Sequence, residues 1–474
     1  MKKLQLLCLC FSLVLSTFGV SDTIGDDKII ESQAIIKLFP NARPELLLNT
    51  RAMSVKDSIP GRRLYLVSIA DGTPISEFIE GMTLNPKIEY VEPSYEIEFP
   101  ENYQMSISFP DGQAGPLIKG ISPPEFFNQP AVYSIGIDAA LTVASGRHIT
   151  VAVIDNGIDM SHPLFEGSLA GNLKDFVEGD DDPGEVPGTA YGHGTFVAGL
   201  VLLNSPDCKI MPLRAFDGDG IGNSFWVARA IYHAQMSGAD VMNLSFGMST
   251  DCQIIREACE SVIGSGIVLV AAAGNESSGN PSFPAAIEHV IAVSALDTLD
   301  YCADFSNFGP HIDVCAPGVN LYSTLAGDYR WGTWSGTSFS APLVTATCAL
   351  VLSLDREFTS ATMRYHLQET SSAEFDWGSI TPPNVHYGFG RIDAANAVWA
   401  INSEGKPVCG DANGNGVVNM GDVNYIMRYI AGGGPAPQPL YIADVNSDGV
   451  IDVDDAVRLK DYVQGIGPEP QCIR

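Results

Sequence analysis

Gly336-Thr337-Ser338-Phe339-Ser340-Ala341-Pro342 is the stretch on which the reading of this chain turns. A serine follows a glycine closely, and the apolar run after it predicts a buried helix. Gly336 permits the turn that presents Ser338, and a helix starting there aims the Ser338 N–H at developing negative charge. Pro342 is expected in the helix's first turn, where its missing N–H costs little. A serine hydroxyl is a poor nucleophile at neutral pH. It needs a base within hydrogen-bond reach, and the base needs an orienting partner. Two segments upstream offer both. Val153-Ile154-Asp155-Asn156-Gly157-Ile158-Asp159 ends a strand on an aspartate. Gly192-His193-Gly194-Thr195-Phe196-Val197-Ala198-Gly199 opens a helix on a histidine, with glycines that let the backbone pack tightly round it.

These segments, in the order Asp, His, Ser, resemble the subtilisin-like serine proteases residue by residue. The resemblance implies that Ser338 is the nucleophile, His193 the general base and then acid, and Asp155 the carboxylate that holds the imidazole tautomer. Ala271-Ala272-Ala273-Gly274-Asn275 resembles the family's oxyanion segment, which implies that the Asn275 side chain donates to the tetrahedral oxyanion. Ser245-Phe246-Gly247 resembles the segment that pairs with an extended substrate, with Ala272, Ala273 and Gly274 as the opposite wall. Ser282, just before Phe283-Pro284-Ala285, is expected at the pocket floor. No acidic residue is evident at that floor, so a broad, mainly apolar or aromatic preference is expected, with Glu276 at the rim able to tolerate a basic side chain. His162, in Ser-His-Pro, reads as a family packing residue.

Two other function classes also use parts of this pattern. An esterase of the α/β-hydrolase type requires Gly-x-Ser-x-Gly and the order Ser, acid, His; Ser340 occupies the last position of that pattern, and the order is wrong. A protease-like assembly protein, catalytically weak or inactive and acting through its last domain, would be expected to lack a member of the set, and none is missing.

Across 474 residues, Asp+Glu number 56 against 26 Lys+Arg, a formal charge of −30. That balance argues against nucleic acid or an anionic membrane as partner, and suits an acidic, solvated, extracellular surface. Met1-Lys2-Lys3 followed by Leu4 to Val20 reads as a secretory signal over residues 1–21, and no later run is apolar enough to span a bilayer. Of ten cysteines, Cys8 and Cys10 lie in the signal; the other eight are an even set in a secreted protein, compatible with disulfides whose pairing stays open. Cys409 and Cys472 bracket the last domain and are placed to tie its ends, whereas Cys348 reads equally as a buried thiol.

Residues 28–99 read as a small α+β unit, with strands at Ala34–Leu38 and Leu64–Ile69 and a helix at Ser76–Met82. Its end, Ile88-Glu89-Tyr90-Val91-Glu92-Pro93, resembles the close of the family's inhibitory propeptide. Residues 100–128, rich in Pro and Gly, read as a linker. From 129 to 402 strands and helices alternate, which predicts an α/β catalytic domain: a parallel sheet with helices on both faces and its site at the carboxyl ends of strands. The family often carries a calcium loop after the histidine helix. Here Leu202 to Cys208 is short, and Leu164 stands where an oxygen ligand is often expected, which argues against such a site.

Residues 409–474 change character. Asp411, Asn413, Asn415, Val417, Asn419 and Asp422 occupy positions 1, 3, 5, 7, 9 and 12 of a calcium loop, with Gly416 at 6. Asp444, Asn446, Asp448, Val450, Asp452 and Asp455 repeat the pattern, with Gly449 at 6. A helix is predicted after each, with Val423, Ile426, Met427 and Ile430 on one apolar face and Ala456, Leu459 and Val463 on the other. Duplicated loop-plus-helix units with Asp at position 12 resemble a dockerin domain, which implies two bound Ca2+ ions and a cohesin-bearing scaffold partner. The plainer alternative is a calcium-dependent stability module with no partner.

Overall fold

The computed structural model of the protein describes residues 28–100 and 123–472, apart from Asn49, Asp71, 328–330, Asp376, 402–408, 414–417, 433–436, 438–439 and 447–449. The segment 1–21 expected to be a secretory signal, most of the expected linker at 100–128, and Asn415, Val417 and Asp448 of the two expected calcium loops lie outside the described residues.

Four antiparallel strands build the first unit: β1 (Ile29–Leu38), β2 (Met53–Ile59), β3 (Leu64–Ile69) and β4 (Ile88–Glu98), in the order β2-β3-β1-β4. The helix Ile75–Thr83 lays Ile75 and Phe78 on a core that includes Ala34, Ile36 and Val67. β2 escapes a sequence reading because only its ends, Met53 and Ile59, are buried, so its interior shows no apolar alternation.

The large unit contains β5 (Thr150–Asp155), β6 (Lys174–Asp175), β7 (Lys209–Arg214), β8 (Ile221–Asn223), β9 (Val241–Leu244), β10 (Val268–Ala272), β11 (Ile291–Leu296) and β12 (Val314–Pro317). All but β8 form one parallel sheet in the order β12-β11-β10-β9-β5-β7-β6. The strands are buried on both faces, so they read as apolar runs, yet successive side chains enter different cores. Val151 and Val153 pack with the helices His193–Asn204 and Thr337–Leu354, whereas Ala152 and Ile154 pack with Ser224–Met236 and Gln253–Ile263. The expected parallel sheet with helices on both faces is the one observed.

The start of this unit lies earlier than residue 129. Phe126 is buried in its core, edge-on to Trp331 at 4.8 Å between ring centroids. Gln129 donates to the carbonyl of Tyr322 at 2.9 Å and accepts its N–H at 3.0 Å. One aromatic anchor in a Pro-rich stretch has no period, so the sequence shows a linker where the fold has a docked segment.

In the last unit, the helices Met420–Ile430 and Val453–Val463 pack together over Val423, Ile426, Ala456 and Leu459. Met427, expected on the buried face, is 42% exposed. Cys409 and Cys472 form a disulfide that closes the unit. The other described cysteines, at 208, 252, 259, 302, 315 and 348, are thiols, so the even count does not translate into further bridges.

Candidate active site

Asp155 is the last residue of β5, His193 the first of its helix and Ser338 the second of the helix Thr337–Leu354. All three are buried. His193 Nδ1 lies 2.8 Å from Asp155 Oδ1. The Ser338 hydroxyl donates to the carbonyl of Ser245 at 3.1 Å. Gly194 explains part of the motif: a Cβ there would sit 2.0 Å from the Gly157 carbonyl oxygen and 3.0 Å from Asp155 Oδ1. Any side chain would push the histidine helix off the aspartate.

Pro342 does not lie in the first turn as expected. The helix begins at Thr337, so the missing N–H of Pro342 is the one that would have bonded the Ser338 carbonyl four residues back. The Ser245 hydroxyl takes that place, donating to the Ser338 carbonyl at 2.7 Å. Asn243 Nδ2 donates to the same hydroxyl at 2.8 Å, and Thr345 Oγ1 donates to Asn243 Oδ1 at 2.9 Å. Proline therefore frees a carbonyl through which β9 and its extension hold the serine turn.

The start of the histidine helix is capped by side chains that the sequence did not single out. Glu185 Oε1 accepts the N–H and hydroxyl of Thr195, each at 2.7 Å, and Oε2 accepts the N–H of Gly192. Asn156 Oδ1 accepts the N–H of Gly194 at 3.0 Å, and Asn156 Nδ2 donates to the carbonyl of Ala190 at 2.8 Å. The N–H groups that a helix start leaves without partners are thus met on both sides of His193. Burial pushes the Glu185 carboxyl up to about 8, against the pull of its three donors; Asp155 nearby adds to the rise.

The segments bearing Gly247 and Ser282 meet at one cavity. Met248 and Phe283 exchange both backbone hydrogen bonds at 2.8 Å, which ties the strand through Ser245, Phe246 and Gly247 to the segment bearing Ser282. Ser282 and Gly247 line one cavity of about 460 Å³, together with Glu276, Ser278, Asn280 and Asn307. Ser282 packs against Gly247, where a Cβ would meet its Oγ at 2.4 Å, so it stands in the wall of the cleft. Ala273 and Gly274 follow β10 and pack on a residue missed in the sequence, Asn307. Its Nδ2 donates to the Ala273 carbonyl at 3.0 Å and to Glu276 Oε2 at 2.5 Å, while its Oδ1 accepts the N–H groups of Glu276 and Ser278. Asn307, between Ser306 and Phe308, carries no motif or period that would single it out in the sequence. Asn275 Oδ1 accepts from the N–H and the hydroxyl of Thr337, at 2.9 and 2.8 Å, which fixes which end of the amide is Nδ2.

The end of the first unit enters this cleft. β4 adds antiparallel to β8, pairing Glu96, Ile97 and Glu98 with Asn223, Gly222 and Ile221, and Glu98 also bridges Gly247. Phe99 donates its N–H to the Gly220 carbonyl and stacks on the His193 ring, with centroids 4.1 Å apart and planes 18° apart. Lys28 reaches both Glu96 and Glu98. Farther up, Glu92 accepts the N–H groups of Gln253 and Ile254, each at 2.8 Å, capping that helix of the large unit.

In the last unit, Asp422 and Asp455 are buried and accept backbone N–H groups of their own loops: Asn413 and Asn419 for the first, Asn446 and Asp452 for the second. Burial raises both carboxyls above the usual range, and the neighbouring Asp411 and Asp444 raise them further. Two acids turned into each loop fit a divalent cation, whose charge would offset both. Among the described residues no cluster of three or more His, Cys, Asp or Glu forms a metal centre by itself; each loop's middle ligands fall on undescribed positions.

A parallel sheet with Asp155, His193 and Ser338 gathered at its strand and helix ends, and an extended segment laid across them, defines a hydrolase of the serine-protease class. Residues 146–391 match the model of the subtilase family, and residues 409–464 match the dockerin type I domain. A thermophilic serine proteinase of Bacillus sp. (strain AK1) is 33% identical over 335 residues, covering 68% of this chain and 76% of that one. Subtilisin NAT of Bacillus subtilis subsp. natto is 33% identical over 349 residues, 71% of this chain and 82% of the relative. Among solved structures, fervidolysin from Fervidobacterium pennivorans, a keratinolytic enzyme related to subtilisin, matches with a TM-score of 0.65 at 26% identity, covering 83% of this chain and 65% of that one. The chain belongs to the subtilase family of serine endopeptidases and carries a C-terminal dockerin domain.

Proposed function

We propose that the protein is a secreted serine endopeptidase made as a zymogen, which cleaves peptide bonds through Asp155, His193 and Ser338 and is held to a cohesin-bearing scaffold by its calcium-loaded last domain. The observation that carries the catalytic part is the 2.8 Å contact of Asp155 Oδ1 with His193 Nδ1, made beside the turn that presents Ser338. It keeps the proton on Nδ1 and makes Nε2 the base. For attack, the Ser338 hydroxyl turns from the Ser245 carbonyl to Nε2, and its proton passes to the imidazole as Oγ bonds the substrate carbonyl carbon. Asn275 Nδ2 and the Ser338 N–H donate to the resulting oxyanion. The imidazolium then protonates the leaving amine, leaving an acyl-enzyme that water hydrolyses by the same steps in reverse. Substrate is held by main-chain pairing with Gly247 and β8 between walls built by Ser245, Phe246, Ala273, Gly274 and Ser282.

Residues 28–99 act as the inhibitor. Their last strand occupies the substrate's place, and Phe99 lies over the face of the base. Asp411, Asn413, Asn415, Val417, Asn419 and Asp422 would hold one Ca2+ ion and Asp444, Asn446, Asp448, Val450, Asp452 and Asp455 a second; each ion would offset the facing carboxylates and would take no part in hydrolysis. A leader at residues 1–21 and the dockerin together support an extracellular or cell-surface location.

Casein hydrolysis and fluorophosphonate labelling of wild type against Ser338→Ala test the catalytic part. The variant is expected to lose both, with kcat down about a million-fold, the loss that follows removal of the nucleophile from subtilisin itself. Hydrolysis surviving in Ser338→Ala would assign the chemistry elsewhere. A wild type that neither labels nor cleaves, even after residues 28–99 are removed, would leave an assembly protein acting through its dockerin.

A further inference from the structure

The loop from Ala273 to Ser278 carries Asn275 and is held from two sides. On one side, Thr337 gives its N–H and hydroxyl to Asn275 Oδ1. On the other stands Asn307, in the segment between β11 and β12. Its own N–H donates to the Gly274 carbonyl at 2.9 Å, and its Oδ1 accepts the Glu276 N–H at 3.1 Å. These two bonds bracket Asn275 in the chain, one on the residue before it and one on the residue after. Nδ2 donates to the Ala273 carbonyl at 3.0 Å and to Glu276 Oε2 at 2.5 Å, and Oδ1 also accepts the Ser278 N–H at 2.9 Å. A side-chain amide has two N–H donors and two acceptor positions, and all four are spent on this loop. Asn307 borders the cleft yet is only 3% exposed, so its amide has nothing left to offer a substrate. The segment that bears it is tied to the sheet, because Ser306 Oγ accepts the Ala295 N–H of β11 at 3.0 Å. It also meets the loop main chain to main chain: Ser277 donates to the Phe305 carbonyl at 2.8 Å and Phe308 to the Ser278 carbonyl at 2.9 Å. The loop lies directly on the amide, since a Cβ at Gly274 would come within 2.4 Å of Asn307 Nδ2.

We propose that Asn307 is a positioning residue for the oxyanion: it fixes the backbone on both sides of Asn275, so that Asn275 Nδ2 is aimed where the tetrahedral oxygen forms. The assignment rests on the proposed endopeptidase function. A donor of this kind is effective when it is already in place as the negative charge develops, with no reorganisation left to make. Thr337 fixes the amide's Oδ1 and, through its hydroxyl, the Gly274 N–H at 3.1 Å. The Ala273 carbonyl and the N–H groups of Glu276 and Ser278 are met by the Asn307 side chain instead. Without that side chain these groups lose their partner, and Gly274, with no Cβ, resists rotation of the loop least. The oxyanion exists only after attack, so a loosened Asn275 weakens the transition state and leaves ground-state binding nearly as it was.

The test uses the full chain matured to activity, a fluorogenic peptide and steady-state kinetics. Asn307→Ala is expected to lower kcat by about ten- to a hundredfold with KM changed less than about threefold, a smaller loss than the roughly hundred- to thousandfold that follows removal of the oxyanion asparagine from subtilisin. In an Asn275→Ala background the same change should cost less than about threefold in kcat, because the donor it positions is already gone. A side chain that merely braced the cleft would lower kcat by the same factor in both backgrounds. Asn307→Asp is the second variant. It has nearly the same volume and keeps the acceptor for Glu276 and Ser278, but it turns an oxygen toward the Ala273 carbonyl and Glu276 where Nδ2 donated. Its kcat should fall by about tenfold, again with little change in KM. Wild-type kcat in Asn307→Asp, a raised KM with unchanged kcat in either variant, or full additivity with Asn275→Ala would overturn the inference. So would an Asn275→Ala enzyme that keeps wild-type kcat, since there would be no donor to position. A wild type that neither cleaves the peptide nor takes the fluorophosphonate label overturns the endopeptidase reading itself.

Discussion

The large unit and the last unit both bury carboxylates, and they manage them in different ways. In the large unit Asp155 faces His193, Asp175 meets Arg214 Nη1 at 2.5 Å, and Asp313 meets Arg364 Nε at 2.6 Å with Gln368 Nε2 at 2.7 Å. In the last unit Asp422 and Asp455 each face a second carboxylate and are held by backbone N–H groups. An acid buried beside a cation or a side-chain donor of the same fold needs nothing from solution. An acid buried beside another acid stays charged only if an ion is added. The comparison sets a unit whose buried acids are paired with side chains of the fold beside one whose buried acids face each other over a small core that includes Val423, Ile426, Ala456 and Leu459.

Chelation tests this most directly and has the largest expected effect. EGTA should unfold the last unit entirely, seen as loss of its amide dispersion in NMR spectra, while hydrolysis by the large unit changes by less than about twofold. A last unit that keeps its dispersion without calcium would erase the contrast, and an enzyme inactivated by EGTA would extend ion dependence to the sheet domain.

Arg214→Met probes the opposite side. Asp175 is then left buried with only the N–H groups of Val177 and Glu178, and the large unit should lose about 3–5 kcal/mol, roughly 10 °C in Tm. Asp175→Asn together with Arg214→Met should recover most of that loss. If the single variant melts like wild type, the ion pair is not what makes the buried acid tolerable.

Glu185 lies between the two cases, because it is balanced by hydrogen-bond donors alone. Its carboxyl is raised by burial to about 8, so folding takes up a proton that the unfolded chain has released. Wild type therefore loses stability as pH rises from about 4.5 through 8, by up to about 1.4 kcal/mol per unit, and no further above that. Glu185→Gln lacks this term. The Tm difference between the two, measured from pH 5 to 9, should shift in favour of the variant as pH rises. A difference that is flat with pH would show that the three donors hold the group ionised throughout.

Much of this site is legible in the chain because it is local. Asp155, His193 and Ser338 each sit in a short segment where glycine or proline neighbours are dictated by close backbone approach, and such needs repeat wherever the same turn is made. The calcium loops are legible for the same reason, since one turn carries most of an ion's ligands. The duplicated helices are legible in kind, but periodicity places Met427 on the buried side because it gives a face without saying how wide the neighbour is. Pro342 lies deeper in its helix than the sequence suggests because a helix start is set by cap geometry, which composition shows only within a residue or two.

The chain alone therefore carried the fold class, the order of the Asp, His and Ser segments, and the paired acidic loops of the last domain. The tertiary structure decided what surrounds them: Glu185 and Asn156 on the histidine helix, Asn307 behind Ala273 and Glu276, Phe126 under the sheet domain, and Phe99 on His193 against Phe216 and Gly220. None of these contacts leaves a period or a motif. A motif records what a backbone needs from its own next few residues, whereas these partners are joined by burial and hydrogen bonding between separate segments, and any residue of suitable shape at that point in space would serve the same physics.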